Sequence, residues 1–214
     1  MAAGHEPWVS PPRKRSARLA ASLAPARSPA HRLAARPLTA RPSAPRRRTY
    51  RFFTGTPVLP YGFGLSYTTW TYTPIPGPTP PRFAAVKAAA EAHAANGVLG
   101  HIPKSLQAIA ADFYVNVTNT GSLDADDVVL GFLVPPGAGV GGVALQELFG
   151  FERVFVPAGQ TVTVYLGAQG SSFCQTDAAG VRRFLEGDYT LRFGVRETAA
   201  HGMGFAEAPL RVKA

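Results

Sequence analysis

Residues 112–121 read DFYVNVTNTG, and this stretch decides the fold. Phe113, Val115 and Val117 fall on one side of an extended chain, while Tyr114, Asn116 and Thr118 fall on the other. A period of two with one apolar side predicts a strand that is half buried. Asn119-Thr120-Gly121 then supplies the turn residues that end it.

The same pattern recurs towards the C-terminus. DDVVLGFLVPP (126–136) and LQELFGFERVFVPAG (145–159) are apolar runs closed by proline and glycine. In QTVTVYLGA (160–168), Val162, Val164 and Leu166 alternate with Thr161, Thr163 and Tyr165. In GDYTLRFGV (187–195), Tyr189, Leu191, Phe193 and Val195 alternate with Thr190, Arg192 and Gly194. APLRVKA closes the chain. Six or seven short strands separated by turn signals within 110–214 predict a mainly β, antiparallel β-sandwich. Tyr189, at the start of a strand just after Gly187-Asp188, suits a tyrosine corner whose hydroxyl bonds upstream backbone.

Upstream the character differs. RFAAVKAAAEAHAAN (82–96) is alanine-rich and unbroken, and Asn96-Gly97 supplies a left-handed stop, so it reads as the one inserted helix. Phe83, Val86 and Ala90 share a face, and Lys87 and Glu91 are spaced to pair at i,i+4. Prolines at 74, 76, 78, 80 and 81 make the preceding stretch an extended linker. LPYGFGLSYTTW (59–70) mixes glycine, proline and aromatic rings; without a third glycine, a lysine or a following helical run it fails as a phosphate cradle. It reads as a packed turn built from Tyr61, Gly62, Phe63, Gly64, Leu65, Ser66 and Tyr67. RTYRFF, at 48–53, alternates polar and aromatic residues and reads as a short strand.

Charge is unevenly placed. The 214 residues carry a net charge of +9, yet residues 1–50 hold eleven Lys/Arg against the single acid Glu6. The body is close to neutral, so the basicity describes the first segment only. Residues 1–47 are Ala, Arg, Pro and Ser with few large apolar side chains, a composition expected to remain disordered. Its contacts with nucleic acid would be electrostatic and without sequence specificity. No apolar run approaches the ~18 residues of a membrane span. Cys174 is the one cysteine, which leaves no internal disulfide and favours a buried apolar role. Asp124, Asp126 and Asp127 read as solvated turn acids without an EF-hand's glycine and distal glutamate, and His93 as a solvated helix residue. Arg153 is placed to pair with Glu147 or Glu152. Asn116-Val117-Thr118 is a glycosylation sequon on the polar side of its strand. No residue pattern calls for a cofactor or a metal.

RTYRFFTG, LPYGFGLSYTTWTY, VNVTNTGSLDADDVVLGFLVPP, LQELFGFERVFVPAGQTVTV and FLEGDYTLRFG, in this order, resemble the C-terminal end of glycoside hydrolase family 3, nearest to its β-xylosidases. The resemblance covers about residues 48–74 and 110–212. It implies the exit of an α/β sandwich domain (48–74), a proline-rich linker and helix (75–109), and an immunoglobulin/fibronectin type III-like domain (110–214) behind the tail (1–47). It also implies an extracellular setting, catalytic domains of the glycosidase as partners, and polysaccharide as substrate. The family's retaining chemistry needs two carboxylates about 5–5.5 Å apart, held in domains with no counterpart here. No catalytic residue carries over, and the chain is expected to be inactive alone. The alternative is a free-standing module that binds polysaccharide or protein through aromatics such as Tyr114 and Tyr165.

Overall fold

The computed structural model describes residues 48–97, 101–195 and 205–214. The expected disordered tail at 1–47 lies outside them. Within the described part the chain is mainly β and antiparallel.

Two sheets make the body. The first orders β1 (Trp70–Ile75), β2 (Ile109–Asn119) and β5 (Thr161–Gln169) as β1-β2-β5. The second orders β3 (Ala125–Val134), β4 (Glu147–Val156), β8 (Gly187–Phe193) and β9 (Ala206–Val212) as β4-β3-β8-β9. A short hairpin of β6 (Cys174–Thr176) and β7 (Arg182–Phe184) follows a 3-10 turn at Gly170–Phe173. The inward positions of both sheets share one core: Phe113, Val115 and Val117 of β2 and Val164 and Leu166 of β5 meet Val129 and Leu133 of β3 and Leu191 and Phe193 of β8. β2 and β8 alternate, so their buried rungs face the other sheet across the sandwich, whereas 129–133 of β3 is buried throughout.

The sandwich begins earlier than residue 110. Trp70–Ile75, expected to lie in the segment ahead of it, pairs antiparallel with β2 from Trp70 opposite Asn119 to Ile75 opposite Tyr114. Pro74 is tolerated because β1 is an edge strand, where a missing N–H disturbs no second neighbour. The expected strand in RTYRFF is instead a single helical turn, α1 (Thr49–Phe52), with Thr49 at φ +66. No partner strand reaches it, and the Arg51 carbonyl accepts a hydrogen bond from the Leu145 amide.

The alanine-rich run forms α2 (Phe83–Ala95), stopped at Gly97 with φ +65. Phe83, Val86 and Ala90 are its buried face, and Phe83 meets Phe173 edge-on at 4.9 Å. Lys87 pairs with Glu186 at 2.9 Å rather than with Glu91, because the helix lies against β7 and brings that carboxylate within a charge-assisted hydrogen bond. A last turn, α3 (Lys104–Gln107), buries Leu106 and leads into β2. Cys174 is buried, and burial pushes its thiol up to about 11, far from a reactive thiolate at neutral pH. Tyr189 Oη donates to the Leu185 carbonyl four residues upstream at 3.0 Å.

Candidate interface: the aromatic seam

Residues 48–70 fold as an irregular strap over the outer face of the four-stranded sheet. Pro60 is buried, and the Phe63 amide donates to the Pro60 carbonyl, closing a turn. Gly62 sits at φ +88 so close to β3 that an added Cβ would lie 2.4 Å from Leu130 Cδ1. Both the left-handed backbone and the close approach demand glycine there. Tyr61 stacks on Tyr50 at 4.5 Å, and both rings meet Phe132 at the far end of β3, at 6.2 and 5.7 Å. Phe205 meets Phe132 from the other side at 5.8 Å. Sequence reading identified Tyr61 and its neighbours but missed Tyr50, Phe132 and Phe205. Tyr50 reads as part of a strand, and Phe132 as core because its apolar run carries no break in register.

The strap's own outer surface stays apolar. Val58 is 94% exposed, Leu59 62%, Leu65 50% and Tyr67 98%. Beside the strap on β4, Phe151 and Phe155 are exposed, with Phe151 directly opposite Leu130 in the register. On β4 the exposed Arg153, paired with Asp126, lies between these two rings on the same face. A cleft of about 250 Å³ opens between α1 and the strap, lined by Tyr50, Phe53, Pro57, Leu59, Tyr61 and Gln146. The opposite outer face, on β1-β2-β5, carries Thr118 bonded to Thr161 at 2.8 Å and Asn116 accepting from Thr163 at 2.7 Å.

Among the described residues no paired carboxylates converge on the seam. Asp126 and Asp127 alternate to opposite sides of β3: Asp126 takes Arg153 at 2.7 Å, and Asp127 is buried and accepts from Tyr72 Oη at 2.8 Å. Asp127 is therefore not a solvated turn acid; its strand starts at Ala125 and turns it into the core, where burial raises its carboxyl above the usual range. Asp124 accepts from the Ala158 amide at 2.8 Å. Arg153 turns to Asp126 across the β3–β4 ladder, whereas Glu147 is taken by Arg51 at 3.2 Å. Among the described residues no cluster of three or more His, Cys, Asp or Glu is arranged to hold a metal. His93 is partly buried on α2. No helix among the described residues is long and apolar enough to cross a membrane.

The described residues thus form a mainly β antiparallel sandwich with exposed apolar side chains along the strap and on β4. No family model matches the sequence. Among known proteins, β-D-xylosidase 1 of Arabidopsis thaliana is 32% identical over 157 residues, covering 69% of this chain and 20% of the relative. A probable exo-1,4-β-xylosidase of Aspergillus fumigatus is 30% identical over 155 residues, covering 71% of this chain and 18% of the relative. Among solved structures, a GH3 exo-β-xylosidase bound to a xylobiose aziridine probe superposes with a TM-score of 0.53 at 21% identity, over 77% of this chain and 20% of that one. A β-D-glucoside glucohydrolase from Trichoderma reesei gives 0.51 at 18% identity, over 74% of this chain and 20% of that one. The chain belongs to the glycoside hydrolase family 3 β-xylosidases, and it spans about a fifth of the length of the relatives it matches.

Proposed function

We propose that this chain acts as the non-catalytic, C-terminal, fibronectin type III-like module of a β-xylosidase-type glycosidase. It docks through the seam face onto the catalytic domains and contributes to extracellular xylan breakdown only together with them. The observation that carries this reading is the asymmetry of the two outer faces. One presents Val58, Leu59, Tyr67, Phe151 and Phe155 to solvent around the Arg153–Asp126 ion pair, while the other presents Tyr165 beside a ladder of paired hydroxyls and amides. Burying the exposed apolar face against a neighbouring domain would contribute about 25 cal/mol per Å² covered, which favours a partner over solvent.

The purified chain is expected to show no hydrolysis of an aryl β-xyloside above the uncatalysed background. Each of Asp124, Asp126, Asp127 and Glu147 is already held by a structural donor. Robust turnover by the chain alone, surviving repurification, would overturn the non-catalytic assignment.

A further inference from the structure

The outward face of β1-β2-β5 bears a second feature that the docking reading does not use. Tyr165 is 46% exposed, and its hydroxyl donates to Asp112 Oδ1 at 2.8 Å. To make that bond its side chain runs over Gly167, where an added Cβ would lie 2.7 Å from Tyr165 Oη. The ring therefore lies along the sheet and turns one face outward. Tyr114, opposite it in the register, places its ring 5.3 Å away at 53°. The next rungs along the same face are Asn116 with Thr163 and Thr118 with Thr161, at a spacing of about 7 Å per rung.

We propose that this face binds a neutral polysaccharide chain. A sugar ring has an apolar C–H face that packs on an aromatic platform and hydroxyls around its edge that seek donors and acceptors. Tyr165 supplies the platform, with the half-buried Tyr114 ring inclined at 53° beside it, Asp112 a carboxylate oriented by the Tyr165 hydroxyl, and the Asn116–Thr163 rung an amide and a hydroxyl. The outward positions of Thr71, Thr73, Asp112, Tyr114, Asn116, Thr118, Thr161, Thr163 and Tyr165 include no Lys or Arg. That charge pattern suits an uncharged polymer and disfavours phosphate-rich or carboxylate-rich ligands. The face lies across the sandwich from the seam, so a polymer and a docked domain can be held at once, and the two are testable apart.

The test is affinity electrophoresis of the full chain through gels containing soluble arabinoxylan. The wild-type chain is expected to be retarded, and Tyr165→Ala to weaken retention about tenfold, the scale of one aromatic contact. Thr163→Arg, which adds bulk to the same face without removing a ring, is expected to weaken it as well. Phe151→Ala, on the opposite face, should migrate like wild type. Retention should persist in about 1 M salt, where charge interactions are screened within about 3 Å. An unretarded wild-type chain overturns the proposal. So does a pair of folded Tyr165→Ala and Thr163→Arg variants that bind as wild type, or retention abolished by salt.

Discussion

Replacing Asn119 by alanine is expected to lower folding stability by about 3–4 kcal/mol, close to the largest effect a single polar side chain delivers. Asn119 is fully buried at the end of β2, and all four of its side-chain hydrogen bonds are made within the chain. Its Nδ2 donates to the Leu123 carbonyl at 2.7 Å and to the Val156 carbonyl at 3.0 Å. Its Oδ1 accepts from Thr68 Oγ1 at 2.9 Å and from the Gly121 amide at 3.1 Å. One amide thus joins the end of the seam, the β2–β3 turn and the end of β4. Alanine leaves four partner groups in a water-poor site without their bonds, and each unsatisfied group costs about 1–3 kcal/mol before relaxation. Asn119→Asp should be worse than alanine, because a carboxylate oxygen would face the Leu123 and Val156 carbonyls. Urea unfolding of the two variants beside wild type gives the numbers; a loss below about 1 kcal/mol for alanine would show that the hub is not a hub.

Tyr72→Phe is the second large loss, about 2–3 kcal/mol at neutral pH, the scale of a hydrogen bond to a charged group. Tyr72 stands on β1 in one sheet and Asp127 on β3 in the other, so their 2.8 Å bond crosses the sandwich. The phenol is threaded past Gly194, where a Cβ would lie 2.6 Å from the ring. Removing the hydroxyl strands a buried carboxylate. The pair also sets a pH dependence. Burial raises the folded-state pKa of Asp127, outweighing the Tyr72 hydroxyl and the Val128 amide, which act to lower it. A raised carboxyl contributes stability that is complete below its unfolded value of about 4 and is lost as pH climbs through the folded value. Asp127→Asn, which keeps an acceptor and cannot ionise, should therefore gain on wild type as pH rises from about 4 towards neutrality. In that background Tyr72→Phe should cost only about 1 kcal/mol. Burial raises Tyr72 too, so wild type should lose further stability above about pH 10, where the unfolded phenol ionises.

These two sites show what the sequence leaves unsaid. The alternation in 112–118 and 161–166 announces strands because side-chain direction is a local property of extended chain. The helix at 83–95 was legible for the same reason, since alanine content and a stop at Gly97 are local. Asn119 read only as a turn residue, because the Thr68, Leu123 and Val156 groups it serves are set by tertiary placement. Asp127 carries an ambiguous local signal: a run of three acids looks like a solvated turn, and only the strand's start at Ala125 decides which way each points. Trp70–Ile75 looked like linker because its prolines and threonines lack an apolar period. Its role comes from pairing with β2, whose partner residues lie 39 to 49 positions downstream in the register. The seam was half legible: LPYGFGLSYTTW announces packing aromatics, but not that Tyr50 and Phe132 receive them.

The measurement that bears most directly on the proposed role supplies the chain in trans. The catalytic part of a family 3 β-xylosidase, truncated to remove its matching segment, would be mixed with the purified chain and followed by co-elution and aryl β-xyloside hydrolysis. A complex and a gain in activity or thermal stability of the catalytic part are expected, both lost when Tyr67 and Phe151 are changed to Asp. Seam variants that associate as wild type, or a folded catalytic part that neither binds the chain nor responds to it, would contradict the proposed role.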